Sequence, residues 1–174
     1  MYIIVEAIDK HTHTYMPQKV SQTETNIVTF QEGYSKLKLF LHLKKQEKNI
    51  IIMDEIQDVD IDFENGSEEY KAKYVLIKIT SQNGDCKTIV RANKMAGYHK
   101  DIYNPVSQQI SNKYNFKCEV CGGGRVMVMK PANKIKVYGY SVDFGKADHE
   151  KTVNMIKEVE TFSSWDISFS DDGY

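Results

Sequence analysis

The sequence predicts an α/β protein of the α+β type: one domain with a β-sheet and two principal helices, preceded by an N-terminal extension. The first observation behind this is a series of short segments in which apolar and polar residues alternate with the period of a β-strand. The second is a pair of segments whose apolar residues recur at helical spacing. The third is composition, because 174 residues with 41% hydrophobic and 27% charged side chains suit one ordinary globular domain with its own core.

The N-terminal extension, residues 1–55, has no role that the sequence reveals. Residues 2–8 are apolar and β-branched, as in a strand, and residues 37–43 place four alternating leucines on one face of another. We expect either a strand-rich, hairpin-like module or a partly disordered segment. His11 and His13 have the spacing of a metal-binding strand pair, but without a third ligand nearby they are better explained as solvated polar residues.

The domain proper, residues 56–174, opens with strand signals. Residues 58–63 alternate acidic with apolar side chains. An extended segment with two different faces explains this pattern, although paired carboxylates also occur in metal and acid–base sites. Residues 73–79 form the clearest strand, with apolar residues on both faces. An Asn-Gly turn at residues 83–84 then joins it to a hairpin partner over residues 87–91.

One histidine stands out in the stretch that follows, residues 91–103. His99 lies between a strand-like run and a helix, with tyrosines and cationic side chains on both sides. An imidazole titrates near neutrality, so it can accept and return a proton at pH 7. Nearby cations would suit an anionic substrate. A surface or packing role for a single histidine is the alternative on these residues alone.

Two helices are expected in the rest of the chain. Asn104 is a good N-cap and Pro105 a favoured first residue, so the first helix should begin there and run to about residue 114, with His99 just before it. The second should run from about residue 146 to 159. His149 lies on its apolar face, where it is better explained as a packed helix residue than as a ligand. Further strands are expected over residues 126–129, 134–140 and 165–169.

Three consecutive glycines at residues 122–124 precede Arg125. Glycine permits a close approach to the backbone, either by a neighbouring strand or by an anion. Cys118 and Cys121 have the spacing of a zinc or redox pair, but no second such pair completes a tetrahedral site. We therefore expect no metal here and interpret both cysteines as small buried thiols.

Charge and cysteine content limit the classes of function. A formal net charge of -1 and a pI near 6.5 argue against binding nucleic acid or membranes through bulk charge. No apolar run reaches the length of a membrane span, and the first residues lack the pattern of a signal peptide. Three cysteines are an odd and sparse set, typical of reduced thiols in the cytoplasm, where we expect the protein.

Seven segments follow one another in the order and near the spacing of a known family: residues 59–62, 73–77, 89–91, 98–103, 122–126, 134–141 and 172–174. Over residues 56–174 the chain closely resembles the protein histidine phosphatase family, also called the Janus family. The resemblance implies a single α/β domain with a mixed sheet and two helices. It also implies an enzyme that removes phosphate from phosphohistidine, and from phospholysine, in proteins without a metal.

The resemblance also implies individual roles. His99 matches the catalytic histidine. The residues implied to bind the substrate phosphate are Lys73, Arg91, Arg125, Ser141, Val142 and Asp143. Among these, residues 141–143 match a loop that acts through its backbone, and the two arginines either orient phosphate or hold the site together. Two residues depart from the family pattern. Met95 stands where an aromatic residue is expected, and Asp143 puts a carboxylate where a small residue is usual, which would weaken phosphate binding or alter substrate choice.

The implied chemistry leaves two mechanisms and one other class of function open. His99 would act as a general base toward water, or as a nucleophile that becomes phosphorylated. The alternative function is a non-catalytic module that binds phosphorylated proteins, with Asp143 and the extension as its motivation. We expect no cofactor, no nucleic acid and no membrane partner. The expected partners are phosphohistidine-containing proteins, and the expected state is a monomer.

Overall fold

The computed structural model describes the backbone of residues 4–8, 15–19, 22–61 and 68–171, and the side chains of residues 33–61 and 68–171. The chain divides into two compact units, residues 1–48 and 49–174. Our domain boundary after residue 55 stays a prediction. Within the described ranges, none of the helices combines the length and the hydropathy needed to cross a bilayer.

The first unit contains a strand pair and most of a long helix. Strand β1 (Ile4–Ile8) pairs antiparallel with β2 (Tyr15–Lys19), which confirms the strand expected over residues 2–8. Helix α1 (Gln22–Glu55) follows. His11 and His13 lie outside the described residues.

The strand expected over residues 37–43 is wrong, because α1 runs through this segment. An alternating pattern signals a strand only where a sheet buries one face, yet Leu39 and Leu41 are each 59% exposed. Leucine, a good helix former, dominates the segment. Local propensity summed over a long window therefore outweighs the short period-two pattern.

The second unit is built on a six-stranded sheet. Its strands are β3 (Val59–Ile61), β4 (Glu69–Thr80), β5 (Cys86–Asn93), β6 (Lys117–Met129), β7 (Lys134–Tyr138) and β8 (Asp166–Phe169). Their order across the sheet is β3-β5-β4-β6-β7-β8. The two outer pairs, β3 with β5 and β7 with β8, are parallel, and the inner pairs are antiparallel. The mixed sheet is therefore confirmed, as is the hairpin of β4 and β5.

Helices α2 (Lys100–Tyr114) and α3 (His149–Lys157) cover the two faces of this sheet. Central strand β4 has apolar side chains in both cores. On the α2 face, Val75 and Ile77 pack with Ile102 of that helix, whereas Tyr74 and Leu76 join the core that includes α3. Each fully buried side chain of this size contributes about 1.5–3 kcal/mol by leaving water, so the sheet centre is the most strongly stabilised part of the domain.

Helix α2 begins at Lys100, four residues before the expected start at Asn104. Its first turn is already satisfied, because the His99 carbonyl accepts the amides of Ile102 and Tyr103, each at 3.1 Å. Pro105 therefore lies inside the helix, where it removes one backbone hydrogen bond without ending it. The expectation that His99 immediately precedes a helix is confirmed.

Helix α3 agrees with its sequence pattern. Asp148 is its N-cap, with a carboxylate oxygen that accepts the Lys151 amide at 2.9 Å. His149, Val153 and Ile156 share its buried face, as expected. Spacing alone determines this buried face, whereas the helix is shorter than the expected residues 146–159, since Asp148 caps it and Lys157 ends it.

Candidate active site

His99 lies at the N-cap of α2 and is only 6% exposed. Its ring nitrogen Nε2 lies 2.9 Å from the carbonyl oxygen of Gly124 on β6. A carbonyl oxygen can only accept a hydrogen bond, so Nε2 carries a proton and donates it. In the neutral ring Nδ1 is therefore the basic nitrogen, and it has no hydrogen-bond partner among the described residues.

The pKa of His99 lies below its ordinary value of 6.5. Burial lowers this pKa most, because it penalises the charged imidazolium, while the hydrogen bond to Gly124 acts in the opposite direction. The charges of Lys73 and Arg125 lower the pKa further, and that of Asp143 raises it. The ring is consequently neutral at pH 7, the form required of a base or a nucleophile.

The turn from Ser141 to Gly145 lies beside this ring. Its two end residues exchange backbone hydrogen bonds of 3.1 and 2.9 Å, and the Ser141 hydroxyl accepts the Phe144 amide at 3.2 Å. Among the described residues, no acceptor bonds the amides of Val142 or Asp143. Successive backbone amides in a turn are suitable donors for a phosphate oxygen.

The triple glycine of β6 allows this turn and the His99 ring to approach so closely. A Cβ on Gly123 would lie 2.8 Å from Cδ2 of His99 and 3.1 Å from Cβ of Ser141. The side chains of His99 and Ser141 therefore both pack against the backbone of Gly123, which has no side chain of its own. Gly122, with φ of +115°, would likewise place a Cβ 2.6 Å from the carbonyl oxygen of Lys146. Of the two interpretations of this motif, close approach of neighbouring protein segments is the one observed.

Backbone hydrogen bonds fix the turn against the same glycines. The amide of Gly123 donates to the Gly145 carbonyl at 3.1 Å, and the Ala147 amide donates to the Gly123 carbonyl at 3.2 Å. Tyr103 of α2 packs edge-on against Phe144 of the turn, with ring centroids 5.6 Å apart. The turn is thus held from β6 on one side and from α2 on another.

Two of the predicted cations lie at this site. Lys73 on β4 and Arg125 on β6 are register partners, and both lower the pKa of His99. The Lys73 ammonium donates to the Ala96 carbonyl at 2.9 Å, which ties the loop before α2 to the sheet. An ammonium has three N–H donors, so this bond leaves capacity for an anion.

Arg91 occupies a different position. Its guanidinium donates to the carbonyls of Val90 and Gln57, each at 2.8 Å, beside the outer strand β3. Burial lowers its pKa. Through these bonds Arg91 helps to connect the segment before β3 to the sheet. The assignment of Arg91 to phosphate binding stays a prediction.

Asp143 points an exposed side chain from the turn, near enough to influence His99. Its carboxylate raises the pKa of the imidazole, opposite to the effect of the two cations. The roles of Ser141, Val142 and Asp143 in binding phosphate stay predictions.

The cysteines lie away from this chemistry. All three are free thiols, and burial raises the pKa of Cys118. The expectation that both members of the Cys118–Cys121 pair are buried is wrong, because Cys118 is only half-buried and Cys121 is exposed where β6 carries an extra residue opposite Val75–Ile77 of β4. In the part of the chain that the structure describes, no three His, Cys, Asp or Glu side chains cluster as a metal site.

Three contacts of the site were not anticipated. The carbonyls of Gly124 and Ala96 orient His99 and Lys73, and the side chain of Tyr74 binds His149 on the other face. A sequence does not reveal which backbone carbonyls accept hydrogen bonds from side chains. The glycine run was the one available signal that side chains or strands pack closely against β6.

The fold and the site together define an α+β protein in which a neutral histidine lies beside two cations and a turn with available amides. The sequence model of the Janus/Ocnus family matches residues 53–166. The chain belongs to this family.

Three relatives each match more than half of the chain. The chain is 38% identical over 126 residues to the 14 kDa phosphohistidine phosphatase of Sus scrofa, a match that covers 69% of this chain and 94% of that protein. The protein of the same name from Homo sapiens is 38% identical over 125 residues, with 68% and 94% covered. The sex-regulated protein janus-A of Drosophila yakuba is 34% identical over 102 residues, with 59% and 73% covered.

Proposed function

We propose that this protein is a protein histidine phosphatase that hydrolyses the P–N bond of phosphohistidine, and of phospholysine, without a metal. The observation that carries the proposal is the Nε2–H bond of His99 to Gly124, which leaves Nδ1 as the basic nitrogen. The ring lies beside Ser141, and the charges of Lys73 and Arg125 lower its pKa. The names of the Sus scrofa and Homo sapiens relatives support the same activity.

In the proposed mechanism, donors hold the phosphoryl oxygens while water attacks phosphorus. The amides of Val142 and Asp143, with the Lys73 ammonium, stabilise the negative charge that spreads over these oxygens in the transition state. Nδ1 of His99 takes a proton from the attacking water as the new P–O bond forms. The P–N bond breaks in the substrate form whose phosphorylated ring or amine already carries a proton, so its electron pair remains on the nitrogen of a neutral imidazole or amine. Imidazole is a modest base, so its departure needs less acid assistance than that of an alkoxide.

The same nitrogen also suits a nucleophilic mechanism, with a phosphorylated His99 as intermediate. A single turnover with labelled phosphoprotein distinguishes the two when it is quenched in alkali, which preserves P–N bonds. Label on the wild-type chain that is missing from a His99→Ala variant indicates the covalent intermediate. Label that passes directly to free phosphate supports attack by water.

Exposed apolar side chains on the two site loops support a protein substrate. Met95 is 81%, Tyr98 63% and Val142 84% exposed, and they flank a histidine that is itself buried. A free phosphoramidate is too small to cover them, whereas residues around a phosphohistidine would. We therefore expect Met95→Ser with Val142→Ser to lower kcat/KM for a phosphohistidine protein more than for free phosphoramidate. Phe169→Ser, at an exposed apolar residue of edge strand β8, is the matched control.

Release of phosphate from a phosphohistidine peptide tests the proposed function. Wild type should release phosphate, His99→Ala should not, and His42→Ala, at an exposed histidine of α1, should match wild type. Full activity of His99→Ala would refute the role of His99.

The competing function is a module that binds phosphorylated proteins without turning them over. Two departures motivate it: the exposed Asp143 carboxylate in the turn, where the family pattern has a small residue, and the N-terminal extension. Binding of the phosphopeptide by wild type with no phosphate released would establish this module instead.

A further inference from the structure

A second histidine lies on the opposite face of the sheet, and the proposed mechanism makes no use of it. His149 is the first residue of α3 and is 3% exposed. Nε2 of its ring lies 2.9 Å from the Gly139 carbonyl, and Nδ1 lies 2.6 Å from the Tyr74 hydroxyl. The carbonyl can only accept, so Nε2 carries a proton and the Tyr74 hydroxyl donates to Nδ1. Burial raises the pKa of Tyr74, which keeps this donor protonated.

The two hydrogen bonds of His149 connect the residue that precedes the turn, Gly139, with the central strand of the sheet. Gly139, with φ of 72°, lies two residues before Ser141, where the chain leaves β7 to form the turn. A histidine that holds the Gly139 carbonyl therefore fixes where the turn begins. Tyr74 anchors this histidine to the central strand β4, the least exposed part of the sheet.

His149 also packs against the residue that orients His99. A Cβ on Gly124 would lie 3.0 Å from Cε1 of His149 and 2.8 Å from Cε1 of Tyr74. The carbonyl of this same glycine accepts the Nε2–H of His99. Since successive residues of a strand face opposite sides, Gly123 receives His99 on one face and Gly124 receives His149 on the other.

We propose that His149, oriented by Tyr74, is a positioning residue that sets the place of the phosphate-binding turn and of the Gly124 carbonyl. The inference rests on the proposed function. His149 does not touch the reacting atoms, so its effect passes through Gly139 and Gly124. A purely apolar side chain at position 149 would fill the volume but could not bond the Gly139 carbonyl.

The test compares His149→Leu, which keeps bulk, with His149→Gln, whose amide nitrogen can still donate to the Gly139 carbonyl. We expect His149→Leu to weaken the binding of inorganic phosphate and to raise KM by about tenfold, with a smaller effect on kcat. His149→Gln should recover most of this loss. The amide resonances of Val142 and Asp143 should shift in His149→Leu even without phosphate.

Val153→Ala is the matched control, because Val153 is buried on the same face of α3 and its apolar side chain cannot bond the Gly139 carbonyl. It should lower the free energy of unfolding while phosphate affinity and the turn resonances stay as in wild type. If His149→Leu behaves in the same way, the positioning role is wrong.

Two further measurements decide the role of His149 if His149→Leu does not fold or if the protein releases no phosphate. Should His149→Leu fail to fold, Tyr74→Phe removes the donor to Nδ1, together with the acceptor of a 3.5 Å hydrogen bond from the Thr152 hydroxyl. It should move the turn resonances and KM in the same direction by a smaller amount. Unchanged turn resonances and KM in Tyr74→Phe would then overturn the proposal. If wild type binds phosphate but releases none from phosphohistidine, the proposed function fails, while phosphate affinity and the turn resonances still decide the role of His149.

Discussion

His99 and His149 lie on opposite faces of the same sheet and share several properties. Both rings are buried, both donate Nε2–H to a backbone carbonyl at 2.9 Å, and burial is the main reason that both pKa values are lowered. They differ at the other nitrogen. Nδ1 of His149 accepts the Tyr74 hydroxyl, whereas Nδ1 of His99 has no hydrogen-bond partner among the described residues, and the charges of Lys73 and Arg125 lower the pKa of its ring. An available basic nitrogen in a cationic setting, not burial or a shifted pKa, marks the histidine suited to chemistry.

The same substitution at the two histidines should give the largest contrast. His99→Gln keeps a donor for the Gly124 carbonyl but removes the basic nitrogen, so we expect phosphate release to fall by about 10²–10⁴-fold. His149→Gln keeps its donor and should stay within a few fold of wild type. Rates on a phosphohistidine peptide, with circular dichroism as the check on folding, measure the contrast. Comparable losses in the two variants would remove the distinction between the rings.

A methyl group added at Gly123, on the His99 face of the sheet, should have the next largest effect. Gly123→Ala would place its Cβ 2.8 Å from both the His99 ring and the Tyr74 carbonyl oxygen, so backbone must move. We expect a loss of about 1–3 kcal/mol in the free energy of unfolding, measured by urea titration, together with lower activity.

Gly33→Ala supplies the control for this substitution. Nothing lies within 4 Å of a Cβ at Gly33, which is inside α1, so alanine there should be neutral or stabilising by up to about 1 kcal/mol. Equal stability of the Gly123 and Gly33 variants would mean that the ring does not lie against β6 as described.

Removal of the Lys73 charge should change both affinity and acidity. Lys73→Met removes the proposed phosphate donor and a cation that lowers the pKa of His99. KM should rise by about tenfold, since a charge-assisted hydrogen bond contributes about 1.5–3 kcal/mol. The low-pH limb of kcat/KM should also move to higher pH, because the imidazole binds its proton more readily. A limb that stays in place would show that Lys73 is electrostatically remote from His99.

Asp143→Asn should have the smallest effect, and it should shift the low-pH limb and the phosphate affinity in the direction opposite to Lys73→Met. Its carboxylate raises the pKa of His99, so its removal should move the low-pH limb to lower pH. Phosphate should bind a few fold more tightly, because an exposed charge contributes less than about 1 kcal/mol. A phosphate titration followed by calorimetry measures this change, and weaker binding in the variant would contradict it.

The regular elements of the domain could be predicted because local spacing determines them. β4 carries apolar residues on both faces, and α3 has its apolar residues at helical intervals. The segment 37–43 could not be predicted from its period-two pattern, because its leucines do not pack against a sheet. The start of α2 was missed for a related reason, since His99 supplies the first carbonyl of that helix and makes a cap at Asn104 unnecessary.

The site was predictable in its residues and not in its geometry. The family motif places His99, Lys73 and Ser141 in one candidate list. The structure brings His99 and Ser141 together over Gly123, with Lys73 near enough to lower the pKa of His99. It places Arg91 on the carbonyls beside β3 instead. The hydrogen-bond partners that orient the rings are backbone carbonyls of Gly124 and Gly139, and a carbonyl is present at every position of any sequence.

Titration of the two imidazoles by nitrogen-15 NMR tests the central claim most directly. His99 should be the Nε2–H tautomer with a pKa below 6.5, and inorganic phosphate should perturb its Nδ1 resonance while that of His149 changes little. Its neutral form should persist as pH falls toward 6.5, so activity is retained at pH 7 and lost below the folded pKa. A His99 ring protonated on Nδ1, or one that ignores phosphate, would contradict the account.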